Sequence, residues 1–315
     1  MKLAELMRQI QDASGSEPDM MALKRQCDAL GIHLESIYQE LEMNSAYAES
    51  HRDSSREAGL VRLHSHSFYE LIYCTGCDNI QYIIATERYR LQRGDIVWIP
   101  PGVSHCPLFP ADMKKPYERI VLWVNAEKMM EFFGRWPELD LRQDLSRRHY
   151  LLRTAGTKWT FLEGLFLQGI REAEKQKPGW EAAVVGNTIT LLTQIRRAYA
   201  TRSARPMEAE RPALLDRALR YMEENLARKI TMAEVAHHLF VSESTLSQLF
   251  RRKMGVSFYR CLTQQRLIAA KTLIGRDIPL EAVSHQVGFS DYSTFYKAFH
   301  KEFGISPRQY RQLQE

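Results

Sequence analysis

The feature that most constrains this 315-residue chain is a repeat inside its last hundred or so residues. The stretch Ile230–Ser242 recurs 48 positions later as Ile278–Ser290. Ile230, Val235, His237, Leu239, Val241 and Ser242 align with Ile278, Val283, His285, Val287, Phe289 and Ser290. Past that point the offset becomes 49, and Leu246, Phe250, Gly255 and Ser257 align with Phe295, Phe299, Gly304 and Ser306. One extra residue in the second turn explains the change. Each copy reads as a short helix (Met232–Leu239, then Leu280–Val287), a tight turn and a second helix. Ser242, and Ser290 or Asp291, are suited to cap the second helix, because a short side-chain oxygen can accept an orphan backbone N–H. Leu246, Leu249 and Phe250 turn inward in the first copy, Phe295 and Phe299 in the second. Gly255 and Gly304 fit left-handed caps. Between the copies, Phe258–Ile274 reads as one long helix with Leu262, Leu267, Ala270 and Leu273 inward.

A helix–turn–helix pair presents its second helix to the major groove of DNA. The expected contact residues of the first copy are Ser242, Glu243, Ser244, Thr245, Ser247, Gln248, Arg251 and Arg252. Those of the second are Ser290, Tyr292, Ser293, Tyr296, Lys297 and Lys301. Gln248 can pair bidentately with adenine and Lys297 can donate to guanine, while Arg251, Arg252 and Lys301 suit phosphates. Two such heads on one rigid helix could read successive groove turns roughly 34 Å apart. Charge agrees with this reading. From Arg211 onward there are 16 Lys+Arg against 10 Asp+Glu, whereas the preceding residues carry 27 against 28, so the positive excess coincides with the repeat. A helical module for protein contacts is the alternative, and the coincidence counts against it.

Residues from about Leu215 to Arg311 resemble the DNA-binding domain of the AraC/XylS family. The resemblance is carried by Ile230-Thr231, Val235-Ala236, Ser242, Leu246, Phe250, Met254–Phe258, Arg266-Leu267, Ala269-Ala270 and Leu273. It continues through Val283, Val287–Ser290, Phe295, Phe299, Phe303–Pro307 and Tyr310-Arg311. It implies sequence-specific binding to double-stranded promoter DNA, with RNA polymerase as partner for an activator. Ser244 stands where members sometimes carry an aromatic or Arg, so fewer strong base contacts are expected from the first recognition helix.

The N-terminal two thirds has a different texture. Residues 1–54 read as a helical extension, 55–125 as a run of short strands, 126–201 as helices and 202–212 as a polar, Pro-containing linker to the domain at 213–315. Within the strands, His64-Ser65-His66-Ser67-Phe68-Tyr69-Glu70 with Gly76, and Gly94–His105, resemble the two cupin motifs, though Phe109 stands where the pattern often has a polar residue. The expected fold is therefore α+β and multidomain: an N-terminal cupin-like β-barrel with flanking helices, then an all-α domain with two helix-turn-helix units joined by a long helix.

On a strand, His64 and His66 would share a face, with Glu70 in matching parity and His105 brought alongside. Three imidazoles and a carboxylate suit a divalent metal ion. The same residues with Tyr82 and Trp98 are candidates for a small-molecule effector pocket. An enzyme is not expected, since no acid/base group beside an open metal position can be located. The family resemblance implies a homodimer through helices between Trp159 and Ala200, and the stripe Val184, Ile189, Leu192 and Ile195 suits either that or packing on the chain's own barrel. Cys74-Thr75-Gly76-Cys77 reads as a structural turn before a redox motif. The N-terminus has no apolar signal core and no run reaches the roughly 18 apolar residues of a membrane span, so a cytoplasmic location is expected.

Overall fold

The computed structural model describes residues 43, 45–55, 63–77, 79–110, 113–142, 150–201, 213–276 and 278–312. These fall into two compact units: a sheet unit, Met43–Val61 with Ser67–Asp216, and a helical unit containing Arg62–His66 and Arg217–Glu315. The helical periodicity expected for residues 1–42, and the linker at 202–212, lie outside the described residues.

The sheet unit contains β1 (Ala48–Ser55), β2 (Tyr69–Gly76), β3 (Gln81–Ile84), β4 (Glu87–Arg90), β5 (Asp95–Ile99), β6 (His105–Leu108), β7 (Tyr117–Val124) and β8 (Leu151–Arg153). Its helices are α1 (Ala126–Arg135), α2 (Leu162–Lys175) and α3 (Trp180–Ala200). One antiparallel sheet has the order β1-β7-β2-β5-β8, and a second has β4-β3-β6. Among the described residues they form no closed barrel; the expected barrel is met only as a two-sheet arrangement.

Strand alternation assigns the faces of the large sheet. Tyr69, Leu71 and Tyr73 of β2 share a face with Trp98 and Ile96 of β5 and with Leu122 and Ile120 of β7, because these residues are direct cross-strand partners. This face is covered by helices: Phe166 of α2 meets Tyr73 at 5.1 Å and Phe133 of α1 meets Tyr69 at 6.1 Å between ring centroids. Val184, Leu192 and Ile195 of α3 are buried in the same core, with Ile189 partly buried against it. The stripe that suited a dimer is therefore spent inside the chain's own fold. Asn187 donates to the Leu165 carbonyl at 2.8 Å, and Gly169 leaves room for this close crossing of α2 and α3.

Three expectations need correction. Residues 48–55 are not helical: β1 pairs with β7 over eight residues. Ala-Glu-Ser-His-Arg-Asp-Ser-Ser has little strand propensity, and its charged side chains suit an edge, so the pairing is imposed by the neighbouring strand. The segment from 126 onward is not purely helical, since β8 adds to the free edge of β5. Finally, β2 begins only at Tyr69, so His64 and His66 do not continue into it. Cys74 lies within β2 and Cys77 just past its end. A bulge separates Cys74 from Gly76, Cys77 Sγ donates to the Leu91 carbonyl at 3.3 Å, and the Cys77 side chain and burial push the Cys74 thiol well up.

The helical unit runs α4 (Leu214–Glu224), α5 (Met232–Leu239), α6 (Glu243–Met254), α7 (Phe258–Ile274), α8 (Leu280–Gln286), α9 (Tyr292–Phe303) and α10 (Pro307–Gln312), with α4 starting at the unit boundary. Both expected repeats are present. The joints are the same: Val241 N donates to Ala236 O, and Phe289 N to Ser284 O, each at 3.0 Å. Both turn residues are left-handed, Phe240 at φ 59° and Gly288 at φ 86°. Gly288 is required twice over, because a Cβ there would stand 2.0 Å from the Leu226 carbonyl oxygen. The loop Leu226–Arg228 that crowds it is held by Arg266, which donates to the Leu226 and Arg228 carbonyls at 3.2 and 2.7 Å.

Two outcomes follow for stability. Gly288→Ala combines left-handed strain with a backbone clash and is expected to cost about 2–4 kcal/mol in chemical denaturation. Glu234 accepts from Tyr221 Oη and Arg228 Nη2, each at 2.5 Å, and Arg228 first and Tyr221 second hold its carboxyl at about 2 instead of 4.5. A depressed folded-state value stabilises above the unfolded one and is lost as pH falls through the folded one. Glu234→Gln should therefore lower the unfolding midpoint at pH 7, with the difference shrinking between pH 4.5 and 2; a difference unchanged at pH 2 would contradict the assignment.

Candidate nucleic-acid interface and effector pocket

In the first reading head, Ser242 caps α6: its Oγ accepts from Thr245 N at 3.1 Å and lies 2.8 Å from both Ser244 Oγ and Thr245 Oγ1. Such a cap contributes about 1 kcal/mol. Leu246, Phe250 and Met254 are buried, while Leu249, expected inside, is only half-buried. The opposite face exposes Glu243, Ser244, Thr245, Gln248, Arg251, Arg252 and Lys253, with Ser247 partly covered. Gln248 lies one turn inside the helix and the cations lie toward its end.

The second head differs at its cap. Asp291, not Ser290, is the N-cap of α9: Asp291 Oδ1 accepts from Thr294 N at 2.7 Å, and Ser290 Oγ donates to Asp291 Oδ2 at 2.8 Å. The Thr294 N–H and the Ser290 and Thr294 hydroxyls hold the Asp291 carboxyl below its usual range. Ser290 is thus engaged in the cap. Ser293, Tyr296, Lys297 and Lys301 are exposed; Tyr292 is half-buried, its ring 5.9 Å from Phe295.

Several basic residues of the unit serve its interior. Arg266 donates to carbonyls of the Leu226–Arg228 loop. Arg311 donates to the Ile274 and Ile278 carbonyls. Arg260 pairs with the buried Glu302, which also accepts from Gln264 at 3.2 Å, tying α9 to α7. Lys271 lies over the Phe303 and Tyr310 rings. Arg251, Arg252, Lys253, Lys297 and Lys301 remain on the two outward faces.

In the sheet unit the second face of the large sheet carries Glu70, with Trp123 and Ile99 as its direct neighbours. Trp123 Nε1 donates to Glu70 Oε1 at 2.9 Å. From the small sheet, His105 brings Nε2 to 3.3 Å from Glu70 Oε2, and its Nδ1 lies 2.8 Å from the Val103 carbonyl. Tyr82 stacks on His105 at 6.3 Å. Glu70, Tyr82 and His105 are thus together between the sheets. Trp98 is not with them: it pairs with Leu71 and faces the helices, packing on Tyr69 at 5.7 Å. His64 and His66 stand on the segment assigned to the helical unit, their rings 6.4 Å apart. Sequence reasoning missed three residues on the Glu70 face: Trp123, His51, whose ring meets Trp123 at 4.6 Å, and the fully buried Tyr117. Only the register of β1 and β7 reveals them. Burial lowers the His51 imidazole and raises the Tyr82 and Tyr117 phenols.

Residues 235–313 match the family described as the helix-turn-helix domain. The probable transcriptional regulator LumQ of Photobacterium leiognathi is 33% identical over 128 residues, which is 40% of this chain and 50% of that protein. The chain thus spans about half the length of this curated relative. The HTH-type transcriptional activator RhaR of Yersinia pestis is 22% identical over 252 residues, covering 79% of this chain and 84% of that protein. Among solved structures, the C-terminal domain of AraT, a response regulator from Geobacillus stearothermophilus, is 31% identical, covering 32% of this chain and 85% of that one, with a TM-score of 0.31. Residues 235–313 therefore carry a helix-turn-helix domain, and the chain is similar to named transcriptional regulators over the part that it shares with them.

Proposed function

We propose that this chain binds promoter DNA through α6 and α9 and that a small molecule held in the sheet unit controls that binding. The observation that carries the reading is the pair of capped helices with buried apolar faces and exposed polar-then-cationic faces. Ser242, Glu243, Ser244, Thr245, Ser247 and Gln248, and Ser290, Tyr292, Ser293, Tyr296 and Lys297, are proposed as the base-proximal set. Arg251, Arg252 and Lys301 bind phosphate. Glu70, Tyr82 and His105 line the effector pocket, with His64 and His66 adjoining in sequence. A carboxylate oxygen and an imidazole nitrogen are a donor set that fits a divalent ion as well as an organic ligand. A bound ion there would add a fixed positive charge for an anionic effector. No described helix is long and apolar enough to cross a membrane. RNA polymerase, for an activator, and a second copy of the chain are the proposed protein partners; the family resemblance alone supports the latter, because the α3 stripe is buried internally.

Three measurements test this. Affinity of the full chain for a duplex that it selects from a random pool should fall steeply with salt, by about 100-fold between 50 and 200 mM if four phosphates are neutralised. Flat salt dependence would remove the reading. Gln248→Ala should relax discrimination at one base position by about 1–3 kcal/mol, whereas Arg252→Ala weakens all duplexes alike. Elemental analysis separates the pocket's two uses: a stoichiometric divalent ion lost in Glu70→Ala and His105→Ala assigns these residues to metal, and its absence leaves them to the effector.

A further inference from the structure

We infer that Phe240 is a further DNA-contacting residue, an aromatic held out of the first helix-turn-helix joint against the sugar–phosphate edge of the site that α6 reads. The inference rests on the reading of α6 and α9 as recognition helices.

The repeat places Phe240 opposite Gly288, and both are left-handed. Glycine is the usual occupant of such a joint, since a Cβ in this region crowds the following carbonyl. The second copy obeys this rule. The first departs from it with a bulky aromatic, the least tolerant type of residue at positive φ. The Phe240 ring has no compensating burial: at 90% exposure it is the most exposed large apolar side chain among the described residues. Backbone strain and an exposed ring are both unfavourable in the unbound protein, and no packing among the described residues offsets either. Such an outlier points to a contact made on binding.

Its position identifies the partner. Phe240 stands two residues before Ser242, the cap of α6, so its Cα lies within about 7.6 Å of the cap's along a trans chain. That end of a recognition helix is the one inserted toward the bases. The exposed residues around it in sequence are polar: His237, His238, Ser242, Glu243 and Ser244. A protein interface is built on a contiguous apolar core, which a single ring among polar neighbours does not supply. A ring against a deoxyribose at the groove edge needs no such patch.

The test uses the full-length protein, the duplex it selects from a random pool, and the variants Phe240→Gly and Phe240→Asn, both of which accept the left-handed state. The expected result is an unfolding midpoint equal to or a few degrees above wild type, together with a loss of DNA affinity of about 10-fold. The salt slope should be unchanged, because an apolar contact displaces no counterion. Variants that bind the duplex as wild type does would overturn the inference. A defect confined to transcription with RNA polymerase, at unchanged DNA affinity, would overturn it in favour of a protein contact. A fall in midpoint in both variants would overturn it too, by giving Phe240 a role in the fold. Failure of the wild type itself to select any duplex would instead remove the recognition-helix reading.

Discussion

The direction in which the second helix of each helix-turn-helix unit leaves the first depends on one residue in the left-handed backbone state. In both copies this residue closes the first helix with the same pair of backbone hydrogen bonds, and the chain then turns into the cap of the second. Every exposed residue of α6 and α9 inherits its orientation from that joint. In the second copy the joint also lies under the Leu226 carbonyl, which makes Gly288 the sterically defined point of the unit. In the first copy the same joint is open to solvent, and the physical constraint reduces to φ alone.

The two helix-turn-helix units are held together by charges engaged in interior contacts. Arg266 and Arg311 cap carbonyls of neighbouring loops, and Arg260 pairs with the buried Glu302 of α9. Removing Arg260 would leave the Glu302 carboxylate buried without its cation, so the link ties α9 to α7. The positive excess of the C-terminal third is therefore two populations, one structural and one outward. Counting charges by sequence cannot separate them.

In the sheet unit the same economy of position applies through strand parity. Glu70 and Leu71 are neighbours in sequence and belong to opposite faces. One faces His105 and Tyr82 between the sheets, and the other faces the apolar underside of α1 and α2. The candidate pocket is thus a polar seam, Glu70–His105–Tyr82 with Trp123 donating to Glu70, within a unit otherwise built as a hydrophobic core.

Periodicity and repetition alone determined the helical unit. Met232–Leu239 and Phe258–Ile274 lie within the bounds that the apolar spacing and the caps predict, and Gly255 and Gly304 end α6 and α9 in the left-handed state as their type requires. These are local properties, set by 3.6-residue spacing, short polar caps and glycine, and they are legible without a partner. Tertiary structure decided the rest. β1 is a strand only because β7 offers it an unpaired edge, and β8 only because β5 does. Trp98 stands on the face opposite Glu70, and Trp123 and His51 share the Glu70 face, by cross-strand register, which no single segment encodes. The α3 stripe could have met a second copy or its own sheet with equal sense, and burial against Tyr73's sheet face chose the latter. Of the two candidate caps, Ser290 and Asp291, it is Asp291 whose carboxylate accepts from the Thr294 N–H. Local chemistry thus specifies the elements that read, and long-range pairing specifies which side chains they and the sheets bring together.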